Sequence, residues 1–199
     1  QDPNIIMVGE IRDEETAEIS AHAALTGYLV LSTIHTNDAV TVLPRLTEMK
    51  VPTFLIASTT NLIIAQRLVR KICPHCIASY TLSQKALAEL SKQIRVEFLL
   101  ETLIKEGAVV SGQKVEDLLF YRGRGCNQCN QEGYKGRFGI YEVLEMNTEL
   151  AQVILENGTA EDLRKVAIKN GMMTMIQDGF LKAKSGATTI EEVLRVTKE

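Results

Sequence analysis

The sequence predicts an α/β protein: a parallel strand–helix–strand unit first, an inserted cysteine module in the middle, and a helical tail. Three observations carry this. Two short apolar runs, residues 5–8 and 28–34, bracket a segment of good helix formers, which is the pattern of a βαβ unit. All four cysteines fall in two Cys-x-x-Cys pairs on either side of residues 77–125. From residue 147 onward, capping signals and glycine stops recur at helix spacing.

Length and charge bound the rest. With 199 residues the chain is long enough for one large domain or two small ones with a real core. A formal net charge of −3 leaves no global field to hold a polyanion. No apolar run reaches the roughly 18–20 residues of a membrane span; the nearest, residues 54–65, is broken by Ser58, Thr59, Thr60 and Asn61. Gln1-Asp2-Pro3-Asn4 leads straight into a strand, without the basic and apolar regions of an export signal, so a cytoplasmic location is expected. The missing initiator Met, and a start so close to a core strand, suggest a chain cut from something longer.

In order, residues 5–8 read as a buried parallel strand, Gly9 lets the backbone turn, and Glu10 follows. Ligands of open α/β sheets sit beyond the carboxyl ends of the strands, so Glu10 faces a nucleotide crevice in the manner of a Walker B acid. An apolar run closed by an acid is also how many ordinary strands end. A helix is predicted over residues 14–25, with acids in its first turn and Gly27 just past its end. The second strand, residues 28–34, delivers His35, Thr36 and Asn37, and the right-handed crossover brings Glu10 and His35 to one sheet edge.

Asn37 or Asp38 can cap a helix carrying Ala39, Val42, Leu43 and Leu46, in which Pro44 should cause a kink or mark where the helix loosens. Pro52 suits the first turn of a further helix with Phe54, Ser58, Asn61, Leu62 and Ala65 on one face, running into a strand over residues 66–72. A returning strand, residues 138–144, is expected beside residues 68–72. Four helices then follow, beginning near Thr148, Thr159, Met172 and Thr189, with Met172, Met173 and Met175 as core filler or as an adaptable binding face. The divisions read along the chain are 1–72 for the strand–helix core, 73–136 for the cysteine insertion, 137–146 for the returning strand and 147–199 for the helical subdomain.

Cys73, Cys76, Cys126 and Cys129 are the most specific chemical signal. Paired Cys-x-x-Cys knuckles suit one tetrahedral Zn²⁺, and in a reducing compartment disulfides or redox dithiols are the weaker alternative. Four thiolates leave no place for water, so the zinc is structural; His75 is then a surface residue. Arg122, Arg124, Lys135 and Arg137, near Tyr121, Tyr134 and Phe138, form either a phosphate-contacting patch or a solvated rim. The mildly acidic chain favours the rim, and no nucleic-acid partner is expected. His35 can donate to a γ-phosphate, whereas His22 reads as packing or surface. Arg12 can pair with Asp13 or reach phosphate, and spacing leaves both open.

VGEIRD (residues 8–13), ALTGYLVLSTIHTNDA (24–39), QRLVRKIC (66–73), the paired cysteine knuckles, GRFGIYEVLEM (136–146) and TTIEEVL (188–194) together resemble the ATPases of type II secretion and type IV pilus assembly, the GspE, PilB and MshE group. The resemblance covers essentially the whole chain. It implies the C-terminal part of a RecA-like P-loop NTPase domain with an inserted tetracysteine zinc module and a helical C-terminal subdomain. Glu10 matches the Walker B glutamate and His35 the histidine of the family's His box, both catalytic, with Gly9, Arg12, Asp13 and Thr36 near the nucleotide. The tetracysteine set matches the assembly members and is typically missing from retraction relatives. Tyr28 stands where the family usually has a histidine, and Pro44 where a helix former is usual.

The sequence contains no GxxxxGK[ST] loop, so the phosphate-binding half is expected upstream of Gln1. The implied parent is a homo-hexamer that uses ATP and Mg²⁺ to drive an inner-membrane platform protein, lying in the cytoplasm at the membrane's periphery. On this reading the 199 residues alone are inactive. The rival from another class is a non-catalytic zinc-ribbon adaptor, which accounts for the cysteines and leaves Glu10 and His35 as coincidence.

Overall fold

In the computed structural model, residues 3–198 are described. Strands β1 (Ile5–Met7) and β2 (Leu29–Leu31) run parallel, Ile5 opposite Leu29 and Met7 opposite Leu31. Helix α1 (Glu14–Leu25) connects them, and Asp13 caps it by accepting the Thr16 N–H at 2.8 Å. The expectation of a buried strand is corrected: Met7 is 72% exposed, and Ile5, Leu29 and Leu31 are exposed too. Among the described residues β1 and β2 form a two-stranded sheet, so an apolar run identified the strand but not the number of layers covering it.

Helix α2 (Val42–Glu48) holds Pro44 as its third residue. The helix continues through Pro44 because first-turn N–H groups have no intrahelical acceptor, so proline removes no helical bond there. Helix α3 (Thr53–Thr59) starts just after Pro52. It stops before Asn61, Leu62 and Ala65, which the helical pattern had included. Ser58 and Thr59 turn their hydroxyls back onto the carbonyls of Phe54 and Leu55, each at 2.7 Å, and the β-branched pair Ile63–Ile64 then enters β3 (Leu62–Ile72).

Strand β3 pairs with β6 (Tyr134–Glu145), as the returning-strand expectation required, and both are longer than predicted. Within the insertion, β4 (Ile77–Thr81) and β5 (Leu119–Gly123) form an antiparallel pair, with α4 (Gln84–Gln93) and α5 (Val96–Lys105) between them in sequence. In the tail, Asn147 caps α6 (Thr148–Leu155), while Thr159 and Thr174 open α7 (Ala160–Lys169) and α8 (Met175–Lys184) with capping boxes. Thr189 caps α9 (Ile190–Thr197). Met172 and Met175 are buried, which suits filler better than a binding face.

Two compact units result. The first holds the residues up to Ala65 together with Glu142–Met173, around a core that includes Val40, Leu43, Leu55, Leu144, Leu150 and Leu163. The second holds Gln66–Tyr141 and the residues from Thr174 on, with Val69, Leu103, Phe120, Ile140, Phe180 and Val193 buried. The helical tail is thus shared, α6 and α7 packing in the first unit and α8 and α9 in the second. Among the described residues no helix is long and apolar enough to cross a membrane.

Candidate nucleotide edge and metal centre

Parallel pairing continues past the ends of β1 and β2. Val8 N–H reaches Leu31 O and Ile11 N–H reaches Thr33 O, both at 2.8 Å, and the Thr33 hydroxyl donates to Gly9 O at 2.7 Å. These bonds flank Glu10 and register it against the segment that carries His35. His35 Nε2 lies 2.7 Å from Glu10 Oε1, the two side chains being 87% and 19% exposed. Arg12 Nε donates to Glu10 Oε2 at 2.5 Å. Arg12 therefore pairs with Glu10, not with Asp13, whose carboxylate is engaged in capping α1. Thr36 turns its hydroxyl onto Asp38 O at 2.9 Å.

The Arg12 hydrogen bond holds the Glu10 carboxyl below its usual range; burial opposes this, and the charges of Arg12 and His35 reinforce it. Glu10 is thus an anion at neutral pH. Its Oε1 is buried and has no hydrogen-bond partner among the described residues, since the nearby imidazole is close without being aligned. A carboxylate with one oxygen held and one buried oxygen unsatisfied suits accepting a proton from water or approaching a divalent cation.

A third cluster escaped the sequence reading. Asp38 pairs with Arg164 of α7, its Oδ1 accepts the Thr41 N–H at 2.8 Å, and the Ala39 N–H donates to the buried Glu142 Oε1 at 3.1 Å. Glu142 had a signal: Ile140, Glu142 and Leu144 alternate along one buried face of β6. Arg164 had none, as it meets Asp38 across 126 positions.

The four cysteines converge because two strand pairs end at one point. The register of β4 on β5, Ile77 opposite Gly123, brings Arg124 N–H to Cys76 O at 2.9 Å, and at the β3–β6 end Cys73 N–H meets Gly133 O at 2.9 Å. Gly123 and Gly133 touch so closely that a Cβ on Gly123 would lie 2.0 Å from Gly133 O. The sulfurs of Cys73 and Cys126 are 3.9 Å apart, those of Cys76 and Cys129 3.8 Å, and those of Cys126 and Cys129 3.7 Å. Four sulfurs about 2.3 Å from one tetrahedral ion stand about 3.8 Å apart, so the set fits zinc.

N–H groups of Cys126 and Gly133 point at Cys129 Sγ at 3.3 and 3.2 Å, as donors to a thiolate do. Burial raises the Cys129 thiol, but these donors outweigh it and bring it down to about 7, whereas burial pushes Cys76 up to about 11. One thiolate forms readily; four together need a cation to offset their repulsion. The basic rim includes Arg122, which lies 5.3 Å over the Tyr80 ring. His75 is exposed, and His22 stands 3.6 Å from Glu18 on the surface of α1.

The α/β fold matches solved ATPase structures. The pilus retraction motor PilT with bound ADP superposes with a TM-score of 0.60 at 25% identity, covering 100% of this chain and 41% of that one. The Legionella pneumophila ATPase DotB gives 0.57 at 20% identity, covering 98% of this chain and 38% of that one. A model of the type II/IV secretion system protein family matches residues 1–195, and the chain belongs to that family.

Among its relatives is the type IV pilus assembly ATPase PilB of Pseudomonas aeruginosa, 44% identical over 100% of this chain and 32% of that protein. The type II secretion system ATPase E of Vibrio cholerae is 41% identical over 100% of this chain and 35% of its own length. The chain therefore spans about a third of the length of these curated relatives.

Proposed function

We propose that this chain supplies the hydrolytic edge of an ATPase that drives type IV pilus or type II pseudopilus assembly. The observation that carries this is the meeting of Glu10 and His35, 2.7 Å apart at the carboxyl end of a parallel strand pair. In phosphoryl transfer the protein contributes position and electrostatics more than covalent chemistry. Glu10, kept ionised by Arg12, orients the attacking water through Oε1. His35, exposed beside it, donates to the γ-phosphate. Gly9, Arg12 and Thr36 border the nucleotide, while Asp13 acts from behind by fixing the start of α1. Magnesium, when bound, would neutralise charge developing on the phosphoryl oxygens, with Glu10 as this chain's carboxylate toward it.

The phosphate-binding loop is supplied by residues other than these 199, so the isolated chain is inactive. The full-length protein works as a homo-hexamer in the cytoplasm against an inner-membrane platform protein, and Cys73, Cys76, Cys126 and Cys129 hold a structural zinc ion. The names of the P. aeruginosa and V. cholerae relatives and the tetracysteine set support assembly or secretion over retraction. In the full-length protein, Glu10→Gln is expected to lower ATP turnover at least about 100-fold, the scale at which removing a positioned catalytic group acts. Wild-type turnover in that variant would sink the proposal.

A further inference from the structure

We infer that Arg164 is a positioning residue for His35: by pairing with Asp38 it clamps the downstream end of the loop that holds His35 beside Glu10. This rests on reading Glu10 and His35 as the hydrolytic edge. Between the end of β2 at Leu31 and the start of α2 at Val42 the chain has neither helix nor strand, and the exposed His35 ring is not held by packing. Apart from its 2.7 Å approach to Glu10, its position is therefore set by the backbone at the two ends of the loop.

The upstream end is fastened by Thr33, through Ile11 N–H and Gly9 O. At the downstream end, Asp38 and Ala39 are tied to Arg164 and Glu142, and Thr36 closes onto Asp38 O. Two residues, Thr36 and Asn37, separate His35 from Asp38, three steps that span at most about 11 Å of extended chain, so little slack absorbs a displacement of Asp38.

The clamp depends on charge. The Asp38 side chain is 14% exposed, and Glu142, buried in the same unit, also lies within the field of the Arg164 guanidinium. Without that cation, Asp38 loses its ion-pair partner while the acid Glu142 stays on the other side of Ala39. A buried, unpaired carboxylate regains water by swinging outward, and Asp38 can do so only by carrying the loop with it. Arg164 thus acts from α7 on a residue at the nucleotide edge without touching it.

The chain has three histidines, so their ring signals are few enough to assign by single substitutions and to follow by two-dimensional NMR. Asp38→Asn keeps the acceptor for Thr41 N–H and removes only the charge opposite Arg164, which makes it the conservative variant; Arg164→Met removes the other partner and Arg164→Lys partly restores it. Asp38→Asn and Arg164→Met should shift the His35 ring signals and leave those of His22 and His75 in place, with Arg164→Lys intermediate. In the full-length protein the same two variants should lower kcat about tenfold with KM for ATP within about twofold, as expected of a misplaced catalytic group. Unmoved His35 signals in folded Asp38→Asn, or an unchanged kcat, would overturn the clamp. Should Glu10→Gln retain full turnover, the hydrolytic reading fails instead, and the His35 signals still decide whether Arg164 holds the loop.

Discussion

Replacing Glu192 by Gln is expected to cost the second unit a sizeable part of its stability at neutral pH. The Glu192 side chain on α9 is 2% exposed, yet it accepts four hydrogen bonds: the Arg70 N–H at 3.0 Å, Arg70 Nη2 at 2.6 Å, and Arg195 Nε and Nη2, both at 2.9 Å. The Arg70 guanidinium also lies 4.1 Å over the Tyr134 ring, whose hydroxyl meets Thr189 at 3.0 Å. Glutamine keeps the shape but turns an NH₂ group toward donors. Breaking a buried ion pair costs about 3–5 kcal/mol when both ions are dry. Here both arginines are partly exposed and can recover water, which reduces the expected loss to about 2–3 kcal/mol. That corresponds to a fall of about 5–10 °C in Tm for a chain of this size.

Urea unfolding followed by circular dichroism at a series of pH values is the assay. Burial raises the Glu192 carboxyl, but the hydrogen bonds from Arg195 and Arg70 prevail and hold it far below the usual carboxylate range. A depressed folded-state pKa contributes stability that is complete above the unfolded value of about 4.3 and is lost as pH falls below it. The gap between wild type and Glu192→Gln should therefore be full at pH 7 and shrink in acid. A gap under about 0.5 kcal/mol at pH 7, the scale of an ordinary surface substitution, would refute this reasoning, as would a gap that does not change with pH.

The remaining predictions concern the metal centre and the backbone. Elemental analysis should find about one zinc per purified chain, and Cys129→Ser should lose it and lower Tm; metal-free wild-type protein would contradict the assignment. Gly123→Ala should destabilise by about 2 kcal/mol or more and weaken zinc retention, because the new methyl has no room beside Gly133 O; unchanged thermal unfolding would argue against that close approach. Pro44→Ala should change stability by less than about 1 kcal/mol, since proline interrupts no helical bond in the first turn of α2; a large effect in either direction would return the kink to consideration.

Local chemistry was legible in the sequence where the cause was itself local. Thr159 and Thr189 begin helices because their side chains satisfy N–H groups three residues on, and the cysteine spacing alone anticipated four sulfurs around one point. The meeting of Glu10 and His35 followed from the parallel pairing expected of a strand–helix–strand unit. What escaped was set by distant partners. The helical pattern over residues 54–65 was overridden where hydroxyls ended α3 and pairing with β6 claimed Leu62 and Ala65 for β3. Nothing near Arg164 or Glu192 in sequence announces Asp38 or Arg70, because ion pairs between elements depend on packing that composition does not encode. Glu142 lies between these cases, legible from strand alternation as an inward acid but not as the acceptor for Ala39 N–H.

The central claim is that Glu10 acts in cleavage and not in nucleotide capture, and the most direct measurement is the identity of the nucleotide held by the full-length Glu10→Gln protein after mixing with Mg–ATP. With Arg12 and His35 still in place around an uncharged amide of the same size, the variant should bind ATP with near wild-type affinity and retain it uncleaved while the wild type releases ADP and phosphate. ADP recovered from Glu10→Gln at the wild-type rate would contradict the account.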